Sequence, residues 1–320
     1  MRISLIILAV IISNLCFGQI VDGEKTLRSK TTDTIIGWKK GGIVGLNLSQ
    51  ASFSNWAAGG QNSISFNGLI NVFANYKKEN TTWDNMLDLG YGFLQQGKNK
   101  SMIKTDDKID FTSKYGKIAK KNWYYAILLN FKTQMLPGYN YPDDSTKISD
   151  FLAPGYLLGA LGMDYKPNSH FNAFIAPITS KNSFVNNTSM ADAGAFGVDK
   201  ATYDTAGVLI THGKKTRSEF GGYIRINYQT TFFSDKSVSL LSKLDLYSNY
   251  LHNPENVDVN WETIIGFKVN KFISATITAQ LVYDDDTKIG IDKNNDGIID
   301  FSGPRTQFKE VIGIGFNYKF

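Results

Sequence analysis

The segment "IDKNNDGIIDFSGP", residues 291–304, carries oxygen ligands at the spacing of an EF-type calcium loop. Asp292, Asn294 and Asp296 alternate, Gly297 follows, and Asp300 closes the run. In such loops positions one, three and five supply side-chain oxygens and a glycine at six permits the sharp turn. The main-chain carbonyl at seven, here that of Ile298, is the next ligand. Ca2+ is the cofactor this pattern implies, held by Asp292, Asn294, Asp296, Ile298 and Asp300. Position twelve, normally a bidentate Glu, is Gly303. Binding is therefore expected to be weak, around 10⁻⁴–10⁻³ M as in extracellular modules. The flanks read as strands, so a helix–loop–helix sensor is excluded and a calcium-binding loop at 292–303 remains, against the plainer reading of a solvated Asp/Asn/Gly turn. Asp284, Asp285 and Asp286, at the preceding strand end, stand where they could complete the shell.

The other chemistry-bearing residues are sparse. The chain has three histidines, His170, His212 and His252, and none stands at a spacing from serine that would mark a nucleophile–base pair. No phosphate-binding loop, zinc spacing or cofactor motif occurs, and a non-enzymatic protein is expected. With 34 Lys and Arg against 29 Asp and Glu the net charge is +5, and the signs are interspersed. That balance excludes a nucleic-acid surface.

The elements that must carry these residues read as strands. Twenty-nine glycines, 21 Phe and 16 Tyr favour strands and turns over helices. Apolar and polar residues alternate with period two along most of the chain. In the last such run, Phe308, Ile312, Ile314, Phe316, Tyr318 and Phe320 share one face, and Gln307, Lys309, Val311, Gly313, Gly315, Asn317 and Lys319 the other. The runs are about 10–15 residues long, where soluble strands have a mode of roughly 5–6. Aromatics such as Trp83, Trp123, Tyr250 and Trp261 gather near run ends, as at membrane interfaces. The polar faces mix Arg225, Lys243, Asp245, Asp258, Glu262, Lys268, Lys309, Asp88, Asp110 and Lys132. Charges of balanced sign facing inward either pair and plug a narrow lumen or line a selective channel, and the balance favours pairing. Short turns are expected near 77–80, 118–121, 167–169, 232–236 and 269–271, with longer connections alternating between them, the longest at 179–216. Tight turns at one end and long loops at the other predict a transmembrane antiparallel up-and-down β-barrel of about twelve strands.

The first residues read as an export signal. Met1-Arg2 is the basic start, "ISLIILAVII" an apolar run too short to span a membrane, and Gly18 the expected cleavage point. Cys16 raises a lipoprotein reading, but "SNL" before it departs from the usual lipobox. The expected organisation is a signal peptide at 1–18, a periplasmic leader at 19–40 and a barrel at 41–320.

The segment "LNLSQASFSNWAAGGQNSIS" (46–65), the alternating run after it and the tail "GPRTQFKEVIGIGFNYKF" resemble a Bacteroidota envelope family catalogued as domain of unknown function 3078. The resemblance implies an outer-membrane barrel and no activity. The expected role is a structural or accessory subunit of an envelope complex, embedded in outer-membrane lipid and touching other envelope proteins through its loops. A small transport pore for a polar or hydrophobic solute is the alternative.

Overall fold

Residues 36–52, 61–97, 101–234, 237–270, 273–291 and 300–319 are described by a computed structural model. Twelve strands in it close into one antiparallel barrel. They are β1 (Gly37–Ala51), β2 (Ser63–Lys78), β3 (Thr81–Gln96), β4 (Ile103–Lys120), β5 (Trp123–Thr133) and β6 (Gly155–Tyr165). The rest are β7 (Phe171–Phe184), β8 (Thr216–Phe232), β9 (Val238–Asn249), β10 (Val257–Lys268), β11 (Ile273–Tyr283) and β12 (Gln307–Lys319). Each strand pairs with its sequence neighbours, and β12 returns to pair with β1.

Why this sequence closes on itself is visible in the alternation. Along β9 every second residue from Ser239 to Tyr247 is buried, and Lys243 and Asp245 belong to that buried set. On β12, by contrast, Phe308, Ile312, Ile314 and Phe316 are exposed. Buried positions throughout the ring include Asp88, Asp110, Lys114, Asp164, Glu219, Arg225, Lys243 and Asp245. The polarity is thus inverted relative to a water-soluble barrel: charge points in and Ile, Leu, Phe and Tyr point out. A closed sheet with that polarity satisfies most of its ladder groups internally and offers lipid an apolar wall, which is what a membrane-spanning barrel requires. Strands of eleven residues or more rise roughly 36 Å and, tilted about 40°, clear the apolar band of about 25 Å.

Aromatic residues ring both ends. Trp38 packs on Tyr76 and Trp83 at ring separations of 5.2 and 5.7 Å, and Trp123 on Tyr165 at 4.7 Å, all at the tight-turn end. Phe220 and Tyr250 meet at 6.1 Å at the loop end.

Two expected boundaries move. β1 begins at Gly37, inside the stretch read as leader, because Gly37–Lys40 pair with Lys77–Ala74 of β2. β7 runs on to Phe184, because Thr179–Phe184 pair with both β6 and β8, so the longest connection is 185–215 rather than 179–216. Phe320, expected to close the apolar face of the last run, lies outside the described residues.

Candidate functional site

The lumen is where the charged residues converge. In ring order β4 and β10 are diametrically opposite, with five strands between them either way. Even so, Lys108 of β4 reaches Glu262 of β10 at 3.8 Å. One strand over, Asp110 of β4 meets Lys243 of β9 at 3.7 Å. Side chains from opposing walls therefore touch across the barrel axis.

Around Asp110 the contacts form a bracket. Lys132 lies 3.9 Å from Asp110 and 3.8 Å from Asp245. Asp245 accepts from Arg225 Nε at 2.6 Å, Arg225 Nη2 at 3.2 Å and the Tyr223 hydroxyl at 2.7 Å. Asn130 Nδ2 donates to Asp110 at 2.6 Å, and Asn71 Nδ2 to Asp88 at 2.5 Å. Asp88 stands directly opposite Asp110 in the β3–β4 ladder. Three carboxylates and three cations thus occupy the middle of the barrel, so the bracket is close to neutral.

A second cluster lies toward the tight-turn end. Lys114 pairs with Asp164, and Lys166 joins Asp164 at 3.3 Å and Asp84 at 3.4 Å. Between bracket and cluster is a cavity of about 70 Å³ lined by Asn75, Asp84, Lys114, Arg225, Asn227 and Lys243. A third cluster, toward the loop end, joins Lys181 to Asp258 at 2.8 Å and to Glu219 at 3.7 Å. Arg217 links Glu219 at 3.2 Å to Asp286 at 2.7 Å. Several lumen cations also lie over aromatic rings: Lys114 over Phe174 at 5.7 Å, and Lys181 over Tyr247 at 4.9 Å. Such contacts replace part of the hydration a buried cation loses.

Loops fold over the mouth. Asp107 accepts the amides of Met135 and Leu136 at 2.8 and 2.9 Å, which pins the 134–154 connection. The 185–215 connection has its own small core of Val185, Met190, Ala191 and Val198 packed with Ala153. Its one-turn helix, Thr188–Asp192, is capped by the Asn187 side chain. Asp192 then accepts the Gly213 amide at 2.7 Å and faces His212 at 3.0 Å. The Gly213 amide first, and the histidine second, hold the Asp192 carboxyl below its ordinary range. Arg217 donates to the Gly197 carbonyl at 3.1 Å, tying this connection to the top of β8.

Of the lumen residues singled out by sequence, Asp88, Asp110, Lys132, Arg225, Lys243 and Asp245 come together in the bracket. Asp258, Glu262 and Lys309 enter other pairs, the last with Asp106 at 2.9 Å. Lys268 lies exposed near the tight-turn end. Sequence reading put Glu219 on the inward face beside Arg225 and missed Asp84, Lys108, Lys114, Asp164, Lys166 and Lys181. The parity that marks Asp88 and Asp110 marks Asp84, Lys108 and Lys114 equally, so those three were recoverable.

For the calcium-type loop, Asp292, Asn294, Asp296 and Ile298 lie outside the described residues. Asp300 is exposed, next to a short ladder that pairs Lys288–Ile291 with Phe301–Pro304. The flanks are strands, as expected. Asp285 accepts from Asn256 at 2.8 Å and Asp286 is held by Arg217, so both already have other partners. Among the described residues no group of three or more His, Cys, Asp or Glu is placed to hold a metal. His170 Nδ1 lies 3.0 Å from the Gln229 carbonyl, and His252 Nε2 3.4 Å from the Asn253 amide.

Residues 48–139 match the model of a family described as a protein of unknown function (DUF3078). No curated protein matches the chain. Among solved structures, an outer membrane channel from Pseudomonas putida F1 is 8% identical over 90% of this chain and 97% of that one, with a TM-score of 0.40. The translocator domain of the autotransporter NalP from Neisseria meningitidis is 9% identical over 92% of each chain, at 0.34. The NanC porin is 9% identical over 86% of this chain and 98% of that one, at 0.35. Likeness at these scores adds nothing to the strand pairing, which carries the fold by itself.

Proposed function

We propose that this chain is a non-enzymatic barrel of the outer membrane of a Bacteroidota bacterium. In this reading the N-terminal signal exports it, and it serves as a structural or accessory subunit of an envelope complex. The observation that supports this most is the Lys108–Glu262 contact between diametrically opposite strands, flanked by the Asp110–Lys243 pair. A lumen crossed by matched charges resists the passage of ions, because parting each pair leaves two ions short of solvation. Its role then rests on what its outside and its loops hold. Purified protein in planar bilayers is expected to carry no unitary current, and mild-detergent extraction to bring other envelope proteins with it. Steady conductance steps from the wild-type chain would overturn this reading.

A small pore for a polar or hydrophobic solute is the second reading. The cavity beside Lys114, Arg225 and Lys243 favours it, since a permeating solute needs a polar resting place below the bracket.

We also propose that Asp292, Asn294, Asp296, the Ile298 carbonyl and Asp300 bind Ca2+ weakly at the tip of the 288–304 hairpin, on the cell's outer side. Millimolar Ca2+ would then slow proteolysis within 285–305 and raise the unfolding temperature, and Asp296→Ala would remove both effects. Identical digestion with Ca2+ and with chelator would exclude the site.

A further inference from the structure

The barrel closes where β1 meets β12, and that seam differs from its neighbours. Among the described residues its ladder holds four pairs, Ile43 with Lys319 through Leu46 with Phe316. The β1–β2 seam runs fifteen, Gly37–Lys77 to Ala51–Ser63, and the β11–β12 seam ten, Ile273–Phe316 to Val282–Gln307. Toward the loop end, Asn47–Ala51 of β1 and Gln307–Gly315 of β12 therefore pair on one side only among the described residues. The outward side chains there are correspondingly uncovered: Leu48 is 71% exposed, Ile312 68% and Ile314 67%. On the lumen side stand Gly313 and Gly315, and the Asn47 amide occupies the place a Cβ on Gly315 would need.

In an antiparallel strand alternate residues direct both N–H and C=O to the same side. About half of Gln307–Gly315, and half of Asn47–Ala51, thus aim donors and acceptors into the parted seam. In hydrocarbon no water can satisfy such a group, so leaving it unpaired is costly. An acyl chain offers neither donor nor acceptor, whereas a β-strand offers both at the right repeat. The free edge of β12, nine residues from Gln307 to Gly315, is about 30 Å long, which at a tilt of about 40° covers most of the apolar band from the loop side.

We propose that the loop-side half of the β1–β12 seam receives an extended segment of a partner polypeptide as an added strand. Its main chain ladders onto β12. Its alternate residues are apolar toward lipid and small or polar toward Gly313 and Gly315. A second copy of the chain presents only these same two edges among the described residues, so it would dock edge to edge between barrels rather than insert.

The proposal rests on the accessory-subunit reading but fails separately from it, since an electrically silent barrel can still refuse a strand. The probe is a fluorescein-labelled peptide with the sequence of residues 45–51, whose Leu-Asn-Leu-Ser alternation fits the seam, added to the full chain in detergent. The expected results are a saturable rise in anisotropy and an about tenfold slowing of amide exchange in 307–315. A control peptide with proline in place of its Asn and Ser, and so lacking those donors, should not bind. Ser49→Cys/Gly313→Cys, once oxidised, should lose binding and regain it on reduction. Four results overturn the proposal: wild-type 307–315 amides already as protected as those of 273–283; absent or proline-tolerant peptide binding; binding unchanged by the disulfide; or a concentration-dependent dimer that alone slows the exchange. The wild-type exchange measurement needs no variant to fold.

Discussion

Asp110→Ala/Asp245→Ala is expected to turn the barrel, electrically silent under the proposed function, into one that passes anions. The two carboxylates are the negative half of the contacts that hold Lys132, Lys243 and Arg225 together in mid-lumen. Without them three cations remain where each had a counterion within 4.0 Å. Cations left together without counterions repel one another and are short of solvation. Both effects favour swinging the lysines aside, against a rotamer cost of roughly 2 kcal/mol. The long side chains would part, water would enter, and the freed cations would draw chloride in. In planar bilayers the variant should show unitary steps whose reversal potential in a salt gradient reports anion preference, while the wild type stays silent. The isosteric pair Asp110→Asn/Asp245→Asn keeps the hydrogen bonds from Asn130 and Tyr223 within reach, so it should open the lumen with less risk to folding. If both variants migrate as folded barrels and remain silent, the bracket is not what blocks the lumen.

That bracket also marks what the sequence could and could not disclose. Period-two alternation assigns each residue to the inside or outside of the sheet, and Arg225, Lys243, Asp245, Asp110 and Lys132 were all legible as inward-facing. So were the twelve strands and the alternation of tight turns with long loops, because strand length and turn residues are local properties. Which inward charge meets which is not local. The Lys108–Glu262 contact depends on β4 and β10 falling opposite each other, and that follows only from the number of strands and the closure of the ring. Lys166 had no signal at all: it sits just past the end of β6, and only its position beneath Asp84 and Asp164 brings it into the lumen. The apolar lumen patch where Leu128 and Phe174 join Tyr223 was hidden in part: parity puts Tyr223 beside Arg225 on the inward face, but does not say which residues of other strands it meets. The short β1–β12 ladder is the clearest case. "QFKEVIGIGFNYKF" reads as the most regular strand of the chain, and its regularity is real, but a strand's pattern describes its faces and not its edges.

The largest loss of stability is expected from Asp164→Ala. Asp164 and Lys114 have side chains 1% and 6% exposed, and Asp164 also holds Lys166. Truncating the carboxylate leaves two buried cations with only Asp84 near them, and breaking a buried pair from one side typically costs about 3–5 kcal/mol. The unfolding midpoint in urea, followed by the shift between folded and unfolded gel migration, should fall accordingly. Removing both charges is a different experiment. In Lys114→Met/Asp164→Leu neither ion needs solvating, and buried pairs replaced by apolar side chains of similar volume are often neutral. The double variant should therefore recover most of what the single one loses, with a residue of destabilisation because Lys166 keeps only Asp84 at 3.4 Å. The order of the two variants carries the argument: a double variant less stable than Asp164→Ala would mean that the pair contributes net attraction. The lumen charges would then be holding the barrel together as well as filling it.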